Sequence, residues 1–467
     1  MKKNVSADIL IIGSGLAGCA AAYKAASAGK NVLVLEKMDY FGGNSNLAGG
    51  GYASSDSVLK YREKFNLEPD SWQLHAEDTF KAGGGIGDMA LIETMAKGAP
   101  EGLNWLISCG VTFTNALNQI GGHSVHRAYM SDITGRQIMD KVHAAAEAAG
   151  AVFMNRCAVT GFLKENGRAA GVTAVRKMPE DGEGETEDEK LTIMASDRVI
   201  IASGGFSRDT ALRQKYCPAL TEDYGCSNHE GATGEVIRLA QQAGAAVTGM
   251  DYIQLYPCAD PKSGGIDTCG FHAYTGAGYG MIYVNQKGER FVNELLGRDA
   301  VSDAQVQNCE KPTFAVFNQE IADILGLTGD EIERFIKVKR LYAADTPESL
   351  AEAVNIPAGA LRAAVDSHNA FVAGEKEDDF GKVRGTTFHL LKDGPFYAIP
   401  QLPTVHFTMG GLRIDTKARV LDEEGQPIPG LYAAGECCGG IHGKNRLGGN
   451  ALAECVVFGF IAGECGH

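Results

Sequence analysis

The N-terminal part of the chain shows a pattern of apolar and polar positions that predicts a β–α–β unit. Residues 7–12 are mostly apolar, as in a strand that is buried on both faces. A turn with three glycines follows, and residues 16–28 form an alanine-rich segment that predicts a helix ending at Gly29. Residues 32–35 are again apolar and predict a second strand. A helix between two buried strands is typical of an α/β fold.

Further along, the pattern predicts more elements of this domain and then a region of different texture. Residues 152–159 and 172–176 alternate as strands do, and residues 199–206 predict a buried strand ending in glycines. Helices are predicted at residues 137–149, 234–242, 330–342, 347–353 (with Thr346 as N-cap) and 359–373. Strand and glycine runs return near residue 402. We therefore predict one domain from residues 1–252 and 402–467, with a second, inserted domain at residues 253–401.

The first turn carries the pattern GxGxxG, formed by Gly13, Gly15 and Gly18. In such a turn the first glycine permits tight bending, the second lets backbone approach a pyrophosphate, and the third allows close helix–strand packing. The positive end of the following helix points at the phosphates. Glu36 lies eighteen residues after Gly18, where an acid accepts hydrogen bonds from a ribose diol. This context favours a Rossmann-like dinucleotide site over a purely structural glycine turn.

Composition narrows the classes of partner. The chain has 467 residues, a formal net charge of −15 and 60 glycines, which cluster at residues 42–43, 49–51, 83–85, 204–205 and 448–449. Clustered glycines are expected where backbone wraps closely around an extended ligand. The negative charge argues against nucleic acid or an anionic membrane as a partner. No apolar segment is long enough to span a bilayer, and the first residues are not typical of a secretory signal.

The cysteines indicate reduced thiols. Twelve are present without CxxC or CxxCH spacing, so the sequence predicts neither a haem attachment site nor a ferredoxin-type cluster, and no metal site. The adjacent Cys437 and Cys438 are interpreted as buried thiols beside a cofactor. This usage favours a cytoplasmic protein.

Two polar segments have less specific interpretations. Residues 121–127 include His123, His126 and Arg127, and this loop either lines a ligand or is a solvated connection. Residues 180–189 are rich in acids and predict a solvated hairpin tip between strands.

The C-terminal motifs make the chain resemble a known family. Residues 430–436 (GLYAAGE) and 443–452 (GKNRLGGNAL) resemble the flavin-binding C-terminus of the fumarate reductase and succinate dehydrogenase flavoproteins, and most closely their soluble flavocytochrome branch. Further motifs match the same family in order along the whole chain, at residues 42–51, 202–206, 290–294 (RFVNE), 298–299 and 406–411 (HFTMGG).

The resemblance implies FAD in the first domain and a capping domain that closes over the isoalloxazine. In covalent members a histidine of the glycine run bonds the flavin, and residues 42–51 contain no histidine, so noncovalent FAD is expected. Together, the glycine turn and the resemblance assign FAD binding to Gly13, Gly15, Gly18, Glu36, Lys37, Gly43, Asn44, Ser45, Gly49, Gly50, Val159, Gly435, Glu436, Arg446, Gly449, Asn450, Ala451 and Leu452.

Three positions match active-site residues of the family. Arg298 matches an arginine proposed as the general acid, and His406 and Arg446 match a pair that holds a substrate carboxylate. An arginine has a high pKa for an acid, but it can relay a proton when it lies against a developing enolate, which its charge also stabilises. A guanidinium forks onto a carboxylate, so the pair is chemically sensible in its own right.

Three positions differ from the family's residues, and all three are expected to affect how the rest of the substrate is bound or protonated. Tyr256 stands where fumarate reductases have a histidine before proline, and Tyr274 and Ala277 replace the glutamate and arginine of a second carboxylate contact and proton pathway. Tyrosine at the histidine position resembles the urocanate reductases of the family. We expect Tyr256 and Tyr274 to face a substrate end that is not a carboxylate. Asp267 or His272 is a conceivable substitute for the missing relay.

The sequence therefore predicts a flavin-dependent reductase of the C=C bond of an α,β-unsaturated carboxylate, with an aryl or other non-dicarboxylate substrate favoured. Hydride would pass from N5 of reduced FAD to the β-carbon and a proton from Arg298 to the α-carbon. The alternatives are a fumarate reductase proper, a dehydrogenase of ketosteroid type running in the oxidative direction, and a flavoprotein that only carries electrons or binds. Electrons are expected from a separate reductase, cytochrome or free reduced flavin.

Overall fold

The structure is a computed structural model, and it describes residues 2–120, 122–132, 134–177, 188–385 and 387–465. The chain divides into two compact units: Met1–Thr221, Asn228–Ile253 and Phe407–His467 form the first, and Glu222–Ser227 and Gln254–His406 form the second. The second unit thus includes two segments that the predicted boundaries assigned to the first domain. Main-chain bonds join these segments, because Ser227 N donates to Val405 O at 2.9 Å and Val405 N donates to Gly225 O at 3.0 Å.

The strands and helices are numbered in chain order. The strands are β1 (Lys2–Ile12), β2 (Val32–Leu35), β3 (Gly51–Ala53), β4 (Ala128–Met130), β5 (Val152–Met154), β6 (Cys157–Glu165), β7 (Arg168–Arg176), β8 (Glu189–Ile201), β9 (Val247–Thr248), β10 (Ile253–Ala259), β11 (Ile282–Val284), β12 (Thr313–Asn318), β13 (Tyr342–Ala344), β14 (Phe396–Thr408), β15 (Gly411–Leu412), β16 (Arg419–Leu421) and β17 (Pro427–Ala433). The α-helices are α1 (Leu16–Ser27), α2 (Tyr61–Lys64), α3 (Trp72–Ala82), α4 (Met89–Ser108), α5 (Gly135–Ala148), α6 (Thr210–Tyr216), α7 (Glu235–Gln242), α8 (Thr268–Gly276), α9 (Arg298–Asn308), α10 (Gln319–Ile324), α11 (Gly329–Lys337), α12 (Pro347–Ala353), α13 (Ala358–Ala373) and α14 (Asn450–Gly463).

A mixed sheet organises the first unit. Within the described residues it has eight strands, in the order β16-β17-β8-β1-β2-β5, with β7 added to β8 and β6 to β7. β1 lies between β2 and β8 and is parallel to both, so that Ile9 pairs with Val32 and Arg198. A strand in this central position is covered on both faces, which explains the nearly continuous apolar run that predicted it. The predicted β–α–β unit and α/β class are confirmed.

Small residues bring α14 close to α1. A Cβ on Gly459 would lie 2.6 Å from Ala17 O, and one on Gly463 would lie 2.3 Å from Ala21 O. The alanine-rich sequence of α1 therefore serves close helix–helix packing as well as the nucleotide turn. As a result, the last helix lies against the first.

The second unit is built around a smaller sheet. Its order is β10-β14-β12-β11, with β13 paired to β14, and the pairs β11–β12, β12–β14 and β13–β14 are antiparallel. α12 begins as predicted, because Thr346 forms a capping box with Ser349. The unit has its own core of buried side chains from the sheet and helices.

Three predicted elements differ in extent. The helix predicted at 330–342 ends at Lys337, because Lys339 adopts a left-handed φ of 60° and Tyr342 then begins β13. The strand predicted at 152–159 is divided into β5 and β6 by Arg156, whose φ is 55°. The buried strand predicted at 199–206 ends at Ile201. Residues 180–187 of the predicted hairpin tip lie outside the described residues. No described helix is both long and apolar enough to cross a bilayer.

Candidate active site

A cavity lies in the first unit, at the carboxyl ends of β1 and β2. Ligands of α/β sheets bind at this edge. The residues predicted to bind FAD that line the cavity are Gly13, Gly15, Glu36, Lys37, Gly43, Asn44, Ser45, Val159, Gly435 and Glu436.

The turn after β1 is fastened to the end of β2 by the Glu36 carboxylate. Ser14 donates to Glu36 Oε2 from its backbone N at 3.2 Å and from its Oγ at 2.6 Å, and Met38 N donates to Oε1 at 2.9 Å. Ser14 Oγ also accepts from Gly42 N at 3.1 Å. Glu36 therefore orders the protein around the cavity, in addition to the ribose contact predicted for it.

The glycine run of residues 42–51 closes another side of the cavity. Ser45 Oγ accepts from Leu16 N at 3.1 Å and so caps the N-terminus of α1 from outside the helix. Asn44 donates from Nδ2 to Glu436 Oε2 at 3.3 Å and accepts from His229 N at 3.0 Å. The run is thus tied to three separate parts of the first unit.

Glu436 is a partly buried acid in the cavity wall. It accepts from Thr408 N at 3.0 Å and from Thr408 Oγ1 at 3.2 Å. Burial raises the pKa of the Glu436 carboxyl, although these hydrogen bonds and the positive charge of Arg446 counteract the rise.

The remaining residues predicted to bind FAD are not among those that line the cavity. Gly18 lies in the first turn of α1, while Gly449 is the N-cap of α14, with a φ of 84°. Arg446 donates from Nη1 to Leu447 O at 3.0 Å, and its guanidinium lies 4.6 Å from the centre of the Phe407 ring. The others in this group are Gly49, Gly50, Asn450, Ala451 and Leu452.

Several lining residues were not predicted. The segment after β8 contributes residues 202–204, which the sequence marked as a glycine cluster and a family motif without assigning FAD contacts to them. His229 also lines the cavity, and burial, with the nearby charges of Lys37 and Arg208, lowers its pKa to about 4. No sequence motif marks His229, since its proximity to residues 43 and 44 arises only in the fold.

The second unit brings together four residues predicted to be catalytic. Arg298 is the first residue of α9, and its Cζ lies 5.1 Å from the ring centres of both Tyr256 and Tyr274, which are 5.5 Å apart. The His406 ring lies 5.7 Å from that of Tyr256, and its Nδ1 lies 2.8 Å from Ser227 Oγ. The fifth predicted residue, Arg446, belongs to the first unit.

The tyrosines hold Arg298 as a cation. Burial alone would lower the pKa of the guanidinium, but Tyr274, which is also its hydrogen-bond partner, and Tyr256 raise it, so that it lies above its usual value. Tyr256 is itself fixed, because its hydroxyl donates to Gly270 O at 3.3 Å. Burial raises the pKa of this phenol well above its ordinary value, so it stays neutral.

Asp267 has a structural partner. Arg340 donates to its two carboxylate oxygens at 2.7 and 2.8 Å, and Asp267 Oδ1 also accepts from Gly270 N and caps α8. Burial works to raise the pKa of Asp267, but Arg340 and the cap hold it below the ordinary value. An acid committed in this way favours a role in fixing α8 over the relay considered from the sequence.

Comparison with known proteins identifies the family. A family model described as an FAD binding domain matches residues 8–452. The chain is 33% identical over 461 residues to a fumarate reductase (cytochrome) of Shewanella frigidimarina, covering 98% of this chain and 76% of that protein. It is 34% identical over 472 residues to an acrylate reductase flavoprotein subunit of Shewanella woodyi, covering 99% and 91%, and 33% identical over 461 residues to a urocanate reductase of Eggerthella lenta, covering 98% and 74%.

A solved structure agrees. The open conformation of a flavocytochrome c3 fumarate reductase has a TM-score of 0.82 and 30% identity, covering 98% of this chain and 78% of the other. The chain therefore belongs to the FAD-dependent fumarate reductase/succinate dehydrogenase flavoprotein family. It is a flavin-dependent oxidoreductase that acts on CH–CH bonds.

The residues of the cavity fit FAD. A Cβ on Gly15 would meet only Ser45 Oγ at 3.6 Å and Gly42 O at 3.8 Å, so the space beside this glycine is left open by the protein. It adjoins the N-terminus of α1, where backbone N–H groups bind phosphate. The turn is therefore shaped for a ligand as well as for its own packing.

The two glycines make a matched pair of predictions. Gly18→Ala would place a Cβ 2.0 Å from Gly13 O, and we expect it to lower the free energy of unfolding by about 2 kcal/mol or more. Gly15→Ala meets no such obstacle, so its stability should change little, while its affinity for FAD should fall about tenfold or more. Urea unfolding and fluorescence titration of FAD into the apoprotein measure both quantities. Equal effects of the two substitutions on stability would contradict this assignment.

Proposed function

We propose that the protein reduces the C=C bond of an α,β-unsaturated carboxylate that is not a dicarboxylate. The main support for this proposal is the environment of Arg298. Arg290 and Arg340 of the same unit are paired with carboxylates, Glu294 and Asp267 respectively. Among the described residues no ion pair joins Arg298 to a carboxylate, and its guanidinium lies over the rings of Tyr256 and Tyr274. A half-buried cation that is not paired with a carboxylate can interact with a substrate anion.

The reaction needs this charge. Addition of a hydride to the β-carbon leaves negative charge on the α-carbon and its carboxylate, and a guanidinium nearby stabilises that charge. A proton then passes from the guanidinium of Arg298 to the α-carbon, which forms the saturated acid. His406 and Arg446 would hold the carboxylate, and the Ser227 hydroxyl, 2.8 Å from His406 Nδ1, would orient the imidazole.

The tyrosines support a substrate whose other end is uncharged. Tyr256 and Tyr274 present aromatic surface and hydroxyl groups, which suit a ring or a small apolar end better than a second carboxylate. Relatives named for urocanate and acrylate as well as fumarate show that the family covers such acids. We favour an aryl or small monocarboxylic substrate over fumarate.

FAD is proposed to be held noncovalently by the residues of the cavity and of the loop at 446–452, because residues 42–51 offer no histidine for a bond. Reduced FAD, when bound, supplies the hydride. The second unit is proposed to act as the cap that carries Arg298. A separate reductase, cytochrome or free reduced flavin is proposed as the source of electrons.

The role of Arg298 can be tested by reoxidation of the reduced holoprotein. Under anaerobic conditions in a stopped-flow instrument, acrylate, urocanate or a cinnamate-type acid should reoxidise the flavin faster than fumarate. Arg298→Lys should slow this step about a hundredfold or more, because an ammonium cannot present the same planar fork. Arg334→Lys, on the exposed face of α11, is the matched control and should leave the rate unchanged.

Other outcomes would redirect the assignment. An unchanged rate in Arg298→Lys would remove this residue from the proton transfer. Failure of every acid, together with reduction of the oxidised flavin by a 3-ketosteroid, would place the protein among the dehydrogenases. Failure of all these compounds would favour a binding or electron-carrying role.

The proposed role of Tyr256 in substrate specificity can be tested by substitution. Tyr256→His restores the residue that fumarate reductases have at this position, and it replaces a neutral phenol by a ring that can carry charge. We expect the rate with fumarate relative to acrylate to rise about tenfold. Tyr283→Phe is the control, because this buried phenol bonds to Ala273 O within the same core and should not alter the ratio. A ratio unchanged in Tyr256→His would contradict the specificity role.

A further inference from the structure

The loop that carries Arg446 has little intrinsic rigidity. Five of the eleven residues from 439 to 449 are glycine, and Gly440, Gly443 and Gly449 adopt positive φ angles. Glycine loses more conformational freedom on folding than any other residue, so such a loop needs contacts from outside to hold one conformation. Two buried histidines from other parts of the first unit supply such contacts at the C-terminal end of the loop.

His75 of α3 belongs to a closed ring of hydrogen bonds with the first residue of α14. Asn450 donates from Nδ2 to Thr79 Oγ1 at 2.9 Å, and Thr79 Oγ1 donates to His75 O at 2.8 Å. The Oδ1 atom of Asn450 therefore accepts from His75 Nε2 at 2.8 Å. This geometry places the proton of the neutral imidazole on Nε2.

His123 holds the same loop two residues earlier. Its Nε2 lies 2.9 Å from Gly448 O, and since a carbonyl only accepts, Nε2 carries the proton here as well. The His75 and His123 rings lie 6.1 Å apart, and both side chains are buried. The two contacts therefore flank Gly449, the N-cap of α14, whose φ of 84° turns the loop into the helix.

The surroundings keep both rings uncharged. Burial lowers the pKa of His75 to about 3 and that of His123 to about 4, and the positive charge of Arg127 adds to both shifts. Arg127 is fully buried and is paired with Asp70 and Asp78. In the loop that the sequence left as either ligand-lining or solvated, His123 and Arg127 are thus buried in the protein, whereas Gly122 and Ser124 are exposed.

We propose that His75 and His123 are positioning residues, two neutral imidazoles that hold the loop at Gly448 and Asn450 and so set the direction of Arg446. The proposal rests on the proposed function in one respect, that Arg446 binds the substrate carboxylate. The contact at Gly448 lies only two residues from Arg446. Loss of the His123 donor would leave a buried carbonyl without its partner, and the loop would shift or open to hydrate it.

Two substitutions of His123 distinguish the effect of its hydrogen bond to Gly448 O from the effect of filling the space. His123→Gln keeps an N–H donor at the position of Nε2, while His123→Leu fills the space without one. We expect acrylate binding to the oxidised holoprotein, measured by perturbation of the flavin absorption, to weaken about tenfold in His123→Leu and to change less than about twofold in His123→Gln. Hydrogen exchange of the amides at 440–449 should rise only in His123→Leu.

Three further variants make each outcome decisive. His126→Gln lies on the same loop, where His126 pairs with Glu68 at a partly exposed position, and it should leave both readouts unchanged. Arg446→Lys should abolish acrylate binding; if it does not, the proposed role of Arg446 fails whatever the histidines do. Thr79→Val breaks the ring around Asn450 with little change of shape and replaces His123→Leu if that variant does not fold.

The proposal is overturned if Arg446→Lys loses binding while His123→Leu and Thr79→Val match the unsubstituted protein in both binding and exchange. If the unsubstituted protein binds no acrylate, the exchange comparison alone decides, because it requires no substrate. A rise in exchange common to His123→Gln and His123→Leu would also contradict a role for the Nε2 donor.

The same two histidines predict a pH dependence of stability. Their pKa values lie below the ordinary value of 6.5, so the unfolded chain binds protons more readily than the folded one. Their contribution to stability is fully present above about pH 6.5 and is lost as the pH falls towards 4. His75→Gln/His123→Gln removes both titrations, and we expect urea midpoints to fall less steeply between pH 6.5 and 4. An unchanged slope would contradict the assignment of neutral imidazoles.

Discussion

A close backbone contact between the first glycine turn and the segment after β8 shapes the first unit around the cavity. A Cβ on Gly13 would lie 2.2 Å from Ala202 O, and one on Gly18 would lie 2.0 Å from Gly13 O. Strand, turn and helix therefore meet backbone to backbone, and only glycine meets the requirement. Since β8 is parallel to β1 and continues into residues 202–204, this close approach also brings a third segment to the wall of the cavity.

The C-terminal part of the chain reaches the same place by similar means. Gly459 and Gly463 bring α14 onto α1, and a Cβ on Gly435 would lie 2.9 Å from the Cβ of Ala17. The motif at 430–436 is thus laid against the N-terminal turn, although more than four hundred residues separate them. Small side chains at these contacts explain how the first and last segments share one ligand site. The loop before α14 is also rich in glycine, so contacts from outside its own sequence, such as those of His75 and His123, are proposed to hold it.

Much of this fold could be predicted from local pattern, and the limits have physical reasons. β1, α1, β2 and the cap at Thr346 each carry a signal within a few residues, so they were predicted correctly. Two strands of the second unit are short: β11 and β13 have three residues each, too few for a period to emerge, and they form by pairing with strands distant in the sequence. At the site, motifs marked the glycines and Glu36. His229, His75 and His123 carry no motif, because only the fold brings them to the cavity or to the loop at 439–449.

The charged residues of the second unit differ in their partners: some pair with one another and stabilise the structure, whereas Arg298 lies against tyrosines. Glu294 accepts from Arg290 and from Lys382 and is fully buried, so this cluster satisfies its own charges and fixes the segment that leads to α9. Arg340 and Asp267 do the same at the start of α8. Arg298, the first residue of α9, is placed against Tyr256 and Tyr274 instead. Burial raises the pKa of Tyr256 well above its ordinary value, so this phenol stays neutral and does not cancel the charge of the guanidinium. The resemblance places an acid at the position of Tyr274, so in the function proposed above the tyrosine leaves no carboxylate there to compete with the substrate for the cation.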